Sequence, residues 1–431
     1  MARRVFRGGV HPPEHKDATA GSAIQWAPVP SQLVVPMSQH LGAPCQPLVE
    51  KGDRVERGQV IGSVDAMVSA PVHSPVSGTV TAVAKTLTPG GTSSVAVVIE
   101  PDETQDRESF VTVPEAEDRD RVRAAGIVGM GGATFPSVVK LTPPKGMAVD
   151  TVIVNGCECE PFLTCDHRVM LEQPERVVAG AAHIKRIVGA ARVVIAVESN
   201  KPDAAEALRQ AAGDTAEVVV LPTRYPQGAE KQLIYALLSK EVPHGKLPAA
   251  TGALVHNVAT AVAIADALEH GKPLTERVVT VTGAVARPGN YRVLIGTSVA
   301  DLIEHAGGLV GDVERVIAGG PMTGQALGSL DVPVTKGTSG IVALAAGVAA
   351  PAVSDDQPCI RCGRCPEGCP MGLEPYAIAN HAYRRQWDAA AERHATDCIE
   401  CGVCSYVCPT GRPLVQLIRL AKAAAMSKGG N

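Results

Sequence analysis

Short apolar runs alternate with helical patterns between residues 121 and 270. The runs are rich in valine and isoleucine, and the helical patterns repeat apolar residues at intervals of three or four. This alternation predicts an α/β domain with a largely parallel sheet, because strands and covering helices then follow one another along the chain. The predicted strands are Thr151–Val154, Ala191–Val197 and Glu217–Leu221, and the predicted helices are 175–188, 203–212, 228–239 and 258–270.

The segment before this domain has a different pattern. Residues 30–100 contain short apolar runs separated by Gly, Pro and Asp turns, which predicts a compact all-β module. Val49–Ile61 and Ala70–Val80 resemble the barrel-sandwich hybrid fold of biotinyl and lipoyl carriers. Those carriers hold their cofactor on a lysine between the two halves, whereas Val64–Ser69 contains none, so a structural module is favoured over a swinging arm. Residues 101–120 are charged and predict a linker.

A second β-rich segment follows the α/β domain. Val278–Val285 and Arg287–Tyr291 predict a hairpin, with a helix over 298–306. This pattern resembles a β-grasp module of the soluble-ligand-binding (SLBB) type, which either binds a ligand or serves as a structural adaptor. Residues 345–356 predict another linker. The apolar stripe at 414, 417, 418 and 421 predicts a final helix that docks a partner or a membrane surface, or packs on its own domain.

Composition excludes several classes of function. The chain has 431 residues, a formal net charge of −4 and 3% aromatic residues, so it lacks the basic surplus and stacking surface of a nucleic-acid-binding protein. The sequence contains no run of about 18 apolar residues, so it predicts no membrane span. The basic start Met1–Phe6 is not followed by the apolar region of a signal peptide. Twelve cysteines in such a chain predict metal binding and a reducing, cytoplasmic setting.

Eight of these cysteines form two identical motifs. Each motif is C-x2-C-x2-C-x3-C followed by proline, which is the run that bacterial ferredoxins use to hold [4Fe–4S] clusters. Three thiolates at i, i+3 and i+6 can bind one corner of a cube each, and in two-cluster proteins the fourth ligand comes from the other run. We therefore predict one cluster on Cys359, Cys362, Cys365 and Cys408, and a second on Cys398, Cys401, Cys404 and Cys369.

Zinc is the alternative for these cysteines. Zinc sites use paired C-x2-C knuckles without the third cysteine or the trailing proline, so clusters are favoured. The 28 residues between Cys369 and Cys398 carry a helical pattern and fit the longer, α-helical ferredoxin form. The remaining Cys45, Cys157, Cys159 and Cys165 are predicted to be free thiols, with a third metal site on the last three as an alternative.

A glycine loop opens the α/β domain. Gly126–Pro136 precedes Lys140, and such loops bring backbone N–H groups to phosphate oxygens while a lysine adds charge, although a plain turn before a helix looks similar. Three further segments lie at predicted strand or helix ends, where α/β proteins bind ligands. They are Asn155–Pro161, Tyr225–Lys231 and His256–Thr260.

Together these four segments resemble the FMN- and NADH-binding subunit of respiratory complex I. Cys157, Ala229 and His256 depart from the residues of that family. The resemblance implies nicotinamide contacts from Glu160 and Glu230. It implies FMN contacts from Gly129, Gly131, Gly132, Lys140, Asn155, Tyr225, Gly228, Asn257 and Thr260.

The resemblance is closest to the RnfC family, the C subunits of Rnf electron transport complexes. That family combines the N-terminal motif Phe6–Pro13 with all the modules above in the same order, and the match covers essentially the whole chain. It implies a multidomain α/β protein with an arm, a barrel-sandwich hybrid, an FMN/NADH-binding α/β domain, a β-grasp module and an α-helical double [4Fe–4S] domain. The predicted boundaries are 1–29, 30–100, 121–275, 276–345 and 355–425.

The same resemblance implies an oxidoreductase with FMN, NAD(H) and two [4Fe–4S] clusters as cofactors. The chain is expected to exchange electrons between NADH and a partner subunit, coupled to ion translocation. Its expected partners are a ferredoxin-like Fe–S subunit and integral membrane subunits, at the cytoplasmic face of the cell membrane. A cobalamin reductase and an electron-wiring subunit without nicotinamide activity are the alternatives.

Overall fold

The computed structural model describes residues 5–348 and 358–429. Most of the linker predicted at 345–356 lies outside these ranges. Among the described helices, none is both long and apolar enough to cross a membrane. The N-terminal arm contains α1 (Asp17–Ala20) and β1 (Ile24–Trp26).

Two small antiparallel sheets form the all-β module, as the turn-rich pattern predicts. One sheet has the order β2-β8-β7-β4 and the other β3-β5-β6. Leu33, Ile61 and Ile99 are fully buried in its core. The strands are β2 (Leu33–Pro36), β3 (Gln46–Pro47), β4 (Arg54–Val55), β5 (Val60–Ser63), β6 (Val72–His73), β7 (Gly78–Leu87) and β8 (Ser93–Pro101).

The α/β domain contains a four-stranded parallel sheet with the order β11-β10-β9-β12. The predicted parallel sheet and its strands and helices are therefore confirmed. Its elements are α2 (Asp118–Ala124), α3 (Ser137–Lys140), β9 (Thr151–Gly156), α4 (Cys165–Glu172), α5 (Pro174–Val188), β10 (Arg192–Glu198), α6 (Pro202–Ala212), β11 (Glu217–Leu221), α7 (Glu230–Leu238), a 3₁₀ helix (Pro248–Thr251), β12 (Ala253–Asn257) and α8 (Val258–His270).

The β-grasp module is built on the predicted hairpin, which pairs β13 with β14. Its sheet has the order β1-β14-β13-β17-β15-β16, so β1 of the N-terminal arm adds a parallel edge strand that the sequence did not predict. The elements are β13 (Glu276–Gly283), β14 (Gly289–Leu294), α9 (Val299–His305), β15 (Val313–Ala318), β16 (Gln325–Ala326) and β17 (Gly340–Ala345).

The C-terminal domain is helical. Leu414, Ile418 and Ala421 of its last helix are at most 1% exposed and pack against Ile378. The apolar stripe therefore packs on its own domain, which was one of the predicted alternatives. The helices are α10 (Arg364–Gly368), α11 (Pro375–Tyr383), α12 (Trp387–Glu392), a 3₁₀ helix (Ala395–Asp397), α13 (Val403–Tyr406) and α14 (Leu414–Gly429).

A buried lysine joins the first three modules. Lys336 lies between β16 and β17 of the β-grasp module, and its Nζ donates to the carbonyl oxygens of Pro71 at 2.6 Å and Gly126 at 2.8 Å. Its backbone N–H donates to Gln39 Oε1 at 3.0 Å. Burial lowers the pKa of Lys336 to about 7. A neutral amine carries two N–H groups, which matches the two carbonyl acceptors.

Replacing this lysine tests the buried amine. The pKa of Lys336 is lower in the folded chain than in the unfolded chain, so the unfolded chain binds more protons between pH 7 and 10. The stability of the wild type therefore gains up to about 1.4 kcal/mol per pH unit from this group as pH rises through that range. Lys336→Met should lose this gain, measured as the melting temperature of both chains between pH 7 and 9.5. Exposed Lys51→Met is the control, and equal pH profiles for the wild type and Lys336→Met would contradict the assignment.

Candidate functional site

The α/β sheet reverses its strand order next to β9. The chain proceeds from β9 to β10 and β11 on one side, and then returns to place β12 on the other side. Asn155 and Asn257 are direct neighbours across β9 and β12, at the carboxyl ends of both strands. Open α/β sheets bind ligands in the crevice at such a switch point.

The glycine loop lies over this switch point. A Cβ at Gly131 would lie 2.8 Å from Asn257 Nδ2, so only glycine permits this approach. The N–H of Met130 donates to Thr260 Oγ1 at 2.9 Å, which fixes the loop against the start of α8. Among the described residues, the backbone N–H groups of Gly131 and Gly132 have no hydrogen-bond partner, and both glycines are exposed.

Charged and amide side chains complete this cluster. Lys140 Nζ lies 2.7 Å from Glu230 Oε1 and donates to the carbonyl oxygen of Val255 at 3.1 Å. Asn155 Nδ2 donates to the carbonyl oxygen of Gly228 at 2.8 Å. The predicted residues that meet around the switch point are Gly129, Gly131, Gly132, Lys140, Asn155, Gly228, Glu230, Asn257 and Thr260.

These residues fit a flavin phosphate. Free N–H groups in an exposed glycine loop, a half-exposed lysine and the start of a 13-residue helix favour a bound anion. Asn257 caps that helix by accepting the N–H groups of Ala259 and Thr260. The switch point can therefore hold FMN by its phosphate and present polar groups to its ring.

Glu160 and Tyr225 lie at a different position, where three domains meet. Glu160 Oε2 accepts the N–H of Met322 at 3.1 Å, and its other oxygen accepts the hydroxyl of Thr323. The Tyr225 hydroxyl lies 3.5 Å from Glu160 Oε1 and donates to the carbonyl oxygen of Cys401 at 2.7 Å. Burial raises the pKa of Glu160, although the hydrogen bonds from Thr323 and Met322 oppose this shift. Glu160 therefore contacts the β-grasp module, whereas Glu230 contacts Lys140.

Two buried lysines hold the acidic loop Asn155–Pro161, and the sequence did not predict either. Lys16 Nζ donates to the carbonyl oxygens of Glu158 at 2.9 Å, Glu160 at 3.0 Å and Leu163. Lys201 Nζ donates to the carbonyl oxygen of Cys157 at 2.7 Å. Burial lowers the pKa of Lys16. Lys16 lies three residues after the motif Phe6–Pro13, and this position was the signal from which its role could have been predicted.

A buried aspartate adjoins the switch point. Asp166 Oδ2 accepts a hydrogen bond from Asn257 Nδ2 at 2.6 Å. Burial, and next the charge of Glu158, raise the pKa of Asp166 to about 7. The carboxylate of Glu158 in turn accepts the N–H groups of Asp166 and His167, which caps α4. This carboxyl group can exchange a proton near neutral pH beside the flavin-type site.

Two of the three departures from the complex I pattern, Cys157 and His256, are buried. The Cys157 N–H donates to Asn155 Oδ1 at 3.1 Å, and its thiol is enclosed in the core. His256 Nε2 is buried with no hydrogen-bond partner among the described residues. Burial, and next the charge of Lys140, lower the pKa of His256 to about 3, so this ring is neutral. Cys45, Cys157, Cys159 and Cys165 form no disulfide in the described part of the chain, and their role as free thiols stays a prediction.

The cysteines of the two motifs form mixed groups. Burial is the largest cause that raises the pKa of Cys398, Cys401 and Cys404, and the negative charge of a Cys369 thiolate raises it further. Cys369 therefore lies close to the cysteines of the second motif. The negative charges of Cys359 and Cys408 thiolates likewise raise the pKa of Cys365, which burial raises most, so Cys408 lies close to the first motif. The assignment of the fourth ligands remains a prediction, and this proximity supports it.

The loops around the thiols also fit clusters. The residue before the second cysteine of each motif, Arg361 or Glu400, has a positive φ, and so does the glycine after that cysteine. Both loops thus share one backbone path. Among the described residues, no three of the eight thiols lie within 4.8 Å of one another. A tetrahedral zinc ion with Zn–S bonds of about 2.3 Å would hold its sulfur ligands about 3.8 Å apart. The spacing of these thiols is therefore wider than a zinc site needs.

Four family models match the chain in sequence order. The RnfC barrel-sandwich hybrid domain matches residues 4–104, and the Nuo51 FMN-binding domain matches 122–266. The SLBB domain matches 278–326, and the 4Fe-4S dicluster domain matches 358–412. The predicted fold class, flavin-type domain and double-cluster domain are confirmed.

Named relatives match the chain over nearly its whole length. The C subunit of the proton-translocating ferredoxin:NAD(+) oxidoreductase complex of Clostridium ljungdahlii is 45% identical over 99% of this chain and 95% of its own length. The C subunit of the Na(+)-translocating complex of Acetobacterium woodii is 46% identical over 97% and 96%. The chain belongs to this RnfC family. The predicted family and oxidoreductase class are thereby confirmed.

One further relative agrees with this assignment, and one solved structure shares the fold. The C subunit of the ion-translocating oxidoreductase complex of Rhodobacter capsulatus is 43% identical over 97% of this chain and 82% of its own length. A crystal structure of an NAD+-reducing [NiFe]-hydrogenase superposes with a TM-score of 0.51 at 21% identity, covering 71% of this chain and 62% of that chain. The second likeness shows a shared fold with a redox protein outside the Rnf family.

Cysteine variants test the exchanged ligands. Cys369→Ser should alter the same cluster EPR signal as Cys401→Ser, because its thiol lies with the second motif. Cys408→Ser should alter the same signal as Cys362→Ser. The measurement is EPR of the dithionite-reduced chain together with its iron content, and Cys45→Ser is the control. If Cys369→Ser instead matched Cys362→Ser, each motif would bind its own cluster.

Proposed function

We propose that this chain is the peripheral subunit of an Rnf-type complex that exchanges electrons between NADH and a partner subunit. FMN, when bound, supplies the exchange between a two-electron hydride donor and one-electron carriers. The observation that supports this role is the hydrogen bond from Tyr225 to the carbonyl oxygen of Cys401. The carbonyl oxygen of Gly228, three residues further on, accepts from Asn155 at the switch point, so this loop links the flavin-type site to a cluster-binding loop.

The residues at the switch point divide the work of binding. The free N–H groups of Gly131 and Gly132, with the helix start at Asn257 and Thr260, would hold the FMN phosphate. The Gly129 N–H donates to the carbonyl oxygen of Phe135 at 2.9 Å, so Gly129 would contribute by shaping the loop. Lys140 would add a positive charge, and Asn155 would present its amide to the ring. Lys140 also holds Glu230 at the edge of the site, where that carboxylate would bind the nicotinamide nucleotide.

Tyr225 and Glu160 are proposed to act between the nucleotide site and the ferredoxin domain. The carboxylate of Glu160 is fixed by Met322 and Thr323, so its oxygens have defined positions. Its raised pKa lets it hold a proton more readily than an exposed glutamate. We infer that Glu160 contacts the nicotinamide from the β-grasp side, opposite to Glu230.

The two clusters would have different neighbours. In the set Cys369, Cys398, Cys401 and Cys404, Cys401 contacts Tyr225 and Cys369 lies against Gly8 of the N-terminal arm, and Cys369 and Cys404 are buried. The other set includes the exposed Cys362, and the neighbouring Ile360 is 61% exposed. We infer that the first set faces the flavin site and the second set faces the partner. The clusters supply one-electron transfer between these two faces.

The relatives are subunits of ion-translocating complexes, and we propose the same setting for this chain. Its partners would be a ferredoxin-like Fe–S subunit and integral membrane subunits, and it would lie at the cytoplasmic face of the membrane. The exposed cluster edge at Ile360 and Cys362 is the surface through which it would exchange electrons with the Fe–S partner.

An anaerobic titration with NADH tests this proposal. When NADH is added to the purified chain loaded with FMN and both clusters, the flavin absorption band at about 450 nm should bleach. EPR signals of reduced clusters should appear at the same time. Flavin bleaching with silent clusters would place the cluster potentials below that of NADH. A chain with intact clusters that neither binds FMN nor responds to NADH would contradict the proposal and favour a wiring subunit.

The lysine at the switch point gives a residue-level test. Lys140→Ala should weaken FMN binding about tenfold, equivalent to about 1.4 kcal/mol, because it removes a positive charge from the site. FMN fluorescence quenching measures this dissociation constant. Lys145→Ala is the control, because Lys145 is exposed and, in the described part of the chain, forms no side-chain hydrogen bond or ion pair with the switch point. Equal FMN affinity for Lys140→Ala and the wild type would contradict the placement of FMN.

A further inference from the structure

Two histidines and an aspartate converge where the α/β domain meets the ferredoxin domain. His244 lies in the loop that follows α7, whereas His394 precedes the 3₁₀ helix Ala395–Asp397 and Asp397 ends it, next to Cys398. One nitrogen or oxygen atom from each side chain lies within 4.8 Å of the other two. This group, His244, His394 and Asp397, takes no part in the flavin site or in the cysteine motifs.

The geometry brings all three side chains toward one point. His244 Nδ1 lies 2.6 Å and 2.7 Å from the two carboxylate oxygens of Asp397. His394 Nδ1 lies 3.6 Å from Asp397 Oδ2. The two imidazole rings are 6.0 Å apart at an angle of 81°, so their edges can both face one atom. Both histidine side chains are 68% exposed, which leaves room for water molecules as further ligands.

Asp397 is largely enclosed, with 17% of its side chain exposed, and its charge faces imidazoles. In the described part of the chain, its ion pairs are with these two histidines, and neither Lys nor Arg neutralises it. An imidazole can exchange its proton for a metal ion, whereas an ammonium or guanidinium group cannot act as a ligand at neutral pH. The backbone of His394 has φ of 62°.

We propose that His244, His394 and Asp397 form a site for a divalent transition-metal ion. Two imidazoles and one carboxylate with open water positions are a donor set for Zn²⁺ and related ions, whereas Ca²⁺ and Mg²⁺ favour oxygen ligands. The bound ion replaces the protons on the imidazole nitrogens and bridges the two domains. It thereby clamps the ferredoxin domain to the α/β domain next to the cluster ligand Cys398.

Equilibrium dialysis against Zn²⁺ tests the site. The untagged full chain with intact clusters is dialysed without oxygen, and bound zinc and iron are measured together. We expect one Zn²⁺ per chain with unchanged iron. His244→Gln should weaken zinc binding by at least about tenfold. Removing a residue that only supports a metal ligand already costs about this much affinity, and His244 would be a ligand itself. His394→Asn should do the same and keeps a residue that tolerates positive φ.

A second histidine–carboxylate pair provides the matched control. His183 Nε2 lies 2.8 Å from Glu269 Oε1, but Arg176 neutralises this carboxylate and no second histidine joins the pair among the described residues. His183→Gln should therefore leave zinc binding unchanged. His244 lies on the α/β domain, so its replacement spares the cluster loops, and unchanged iron content confirms this.

Two further outcomes decide the proposal. Zn²⁺ should raise the melting temperature of the wild type and of His183→Gln, but not that of His244→Gln, because binding stabilises only a folded site. No zinc bound above the level of the His244→Gln variant would overturn the proposal, and the three residues would then be a hydrogen-bonded clasp. Zinc uptake accompanied by loss of iron would also overturn it, because the metal would then occupy the cysteine motifs.

Discussion

The hydrogen bond from Tyr225 to the carbonyl oxygen of Cys401 is the contact on which the redox core depends. Tyr225 belongs to the loop Arg224–Gly228, which contacts the switch point, the N-terminal arm and the second cysteine motif. The carbonyl oxygen of Gly228 accepts from Asn155 at the switch point, and the Tyr225 backbone pairs with Val10 of the N-terminal arm. A displacement of this loop would therefore change the flavin-type site and the cluster-binding loop together.

The N-terminal arm reinforces this junction from the outside. The Arg224 guanidinium lies 4.9 Å from the ring centre of Phe6 and donates to its carbonyl oxygen. Gly8 has φ of 71°, and a Cβ there would lie 2.6 Å from the carbonyl oxygen of Gly368, so only glycine fits. The arm thus packs against the residues preceding Cys369, which explains why a motif so far from the cysteines belongs to the same family pattern.

Local patterns predicted most of the architecture. The helices 175–188 and 258–270 have strong apolar periodicity, and the structure places α5 and α8 at 174–188 and 258–270. The cysteine motifs have fixed spacing, so their chemistry was readable without a fold. Lys16, Met322 and His244 were not predicted, because their contacts join residues more than 100 positions apart, and no local pattern reports such contacts. The same holds for β1, which pairs with β14.

The order of the two clusters is the central claim, and single-cluster variants test it most directly. Cys401→Ser removes a ligand of the set beside Tyr225, and Cys362→Ser removes one from the exposed set. Each FMN-loaded variant that retains one cluster, with about four irons per chain, is titrated with NADH and followed by EPR. NADH should reduce the remaining cluster of Cys362→Ser. The remaining cluster of Cys401→Ser should be reduced by dithionite but not by NADH. Reduction by NADH in Cys401→Ser but not in Cys362→Ser would contradict this order.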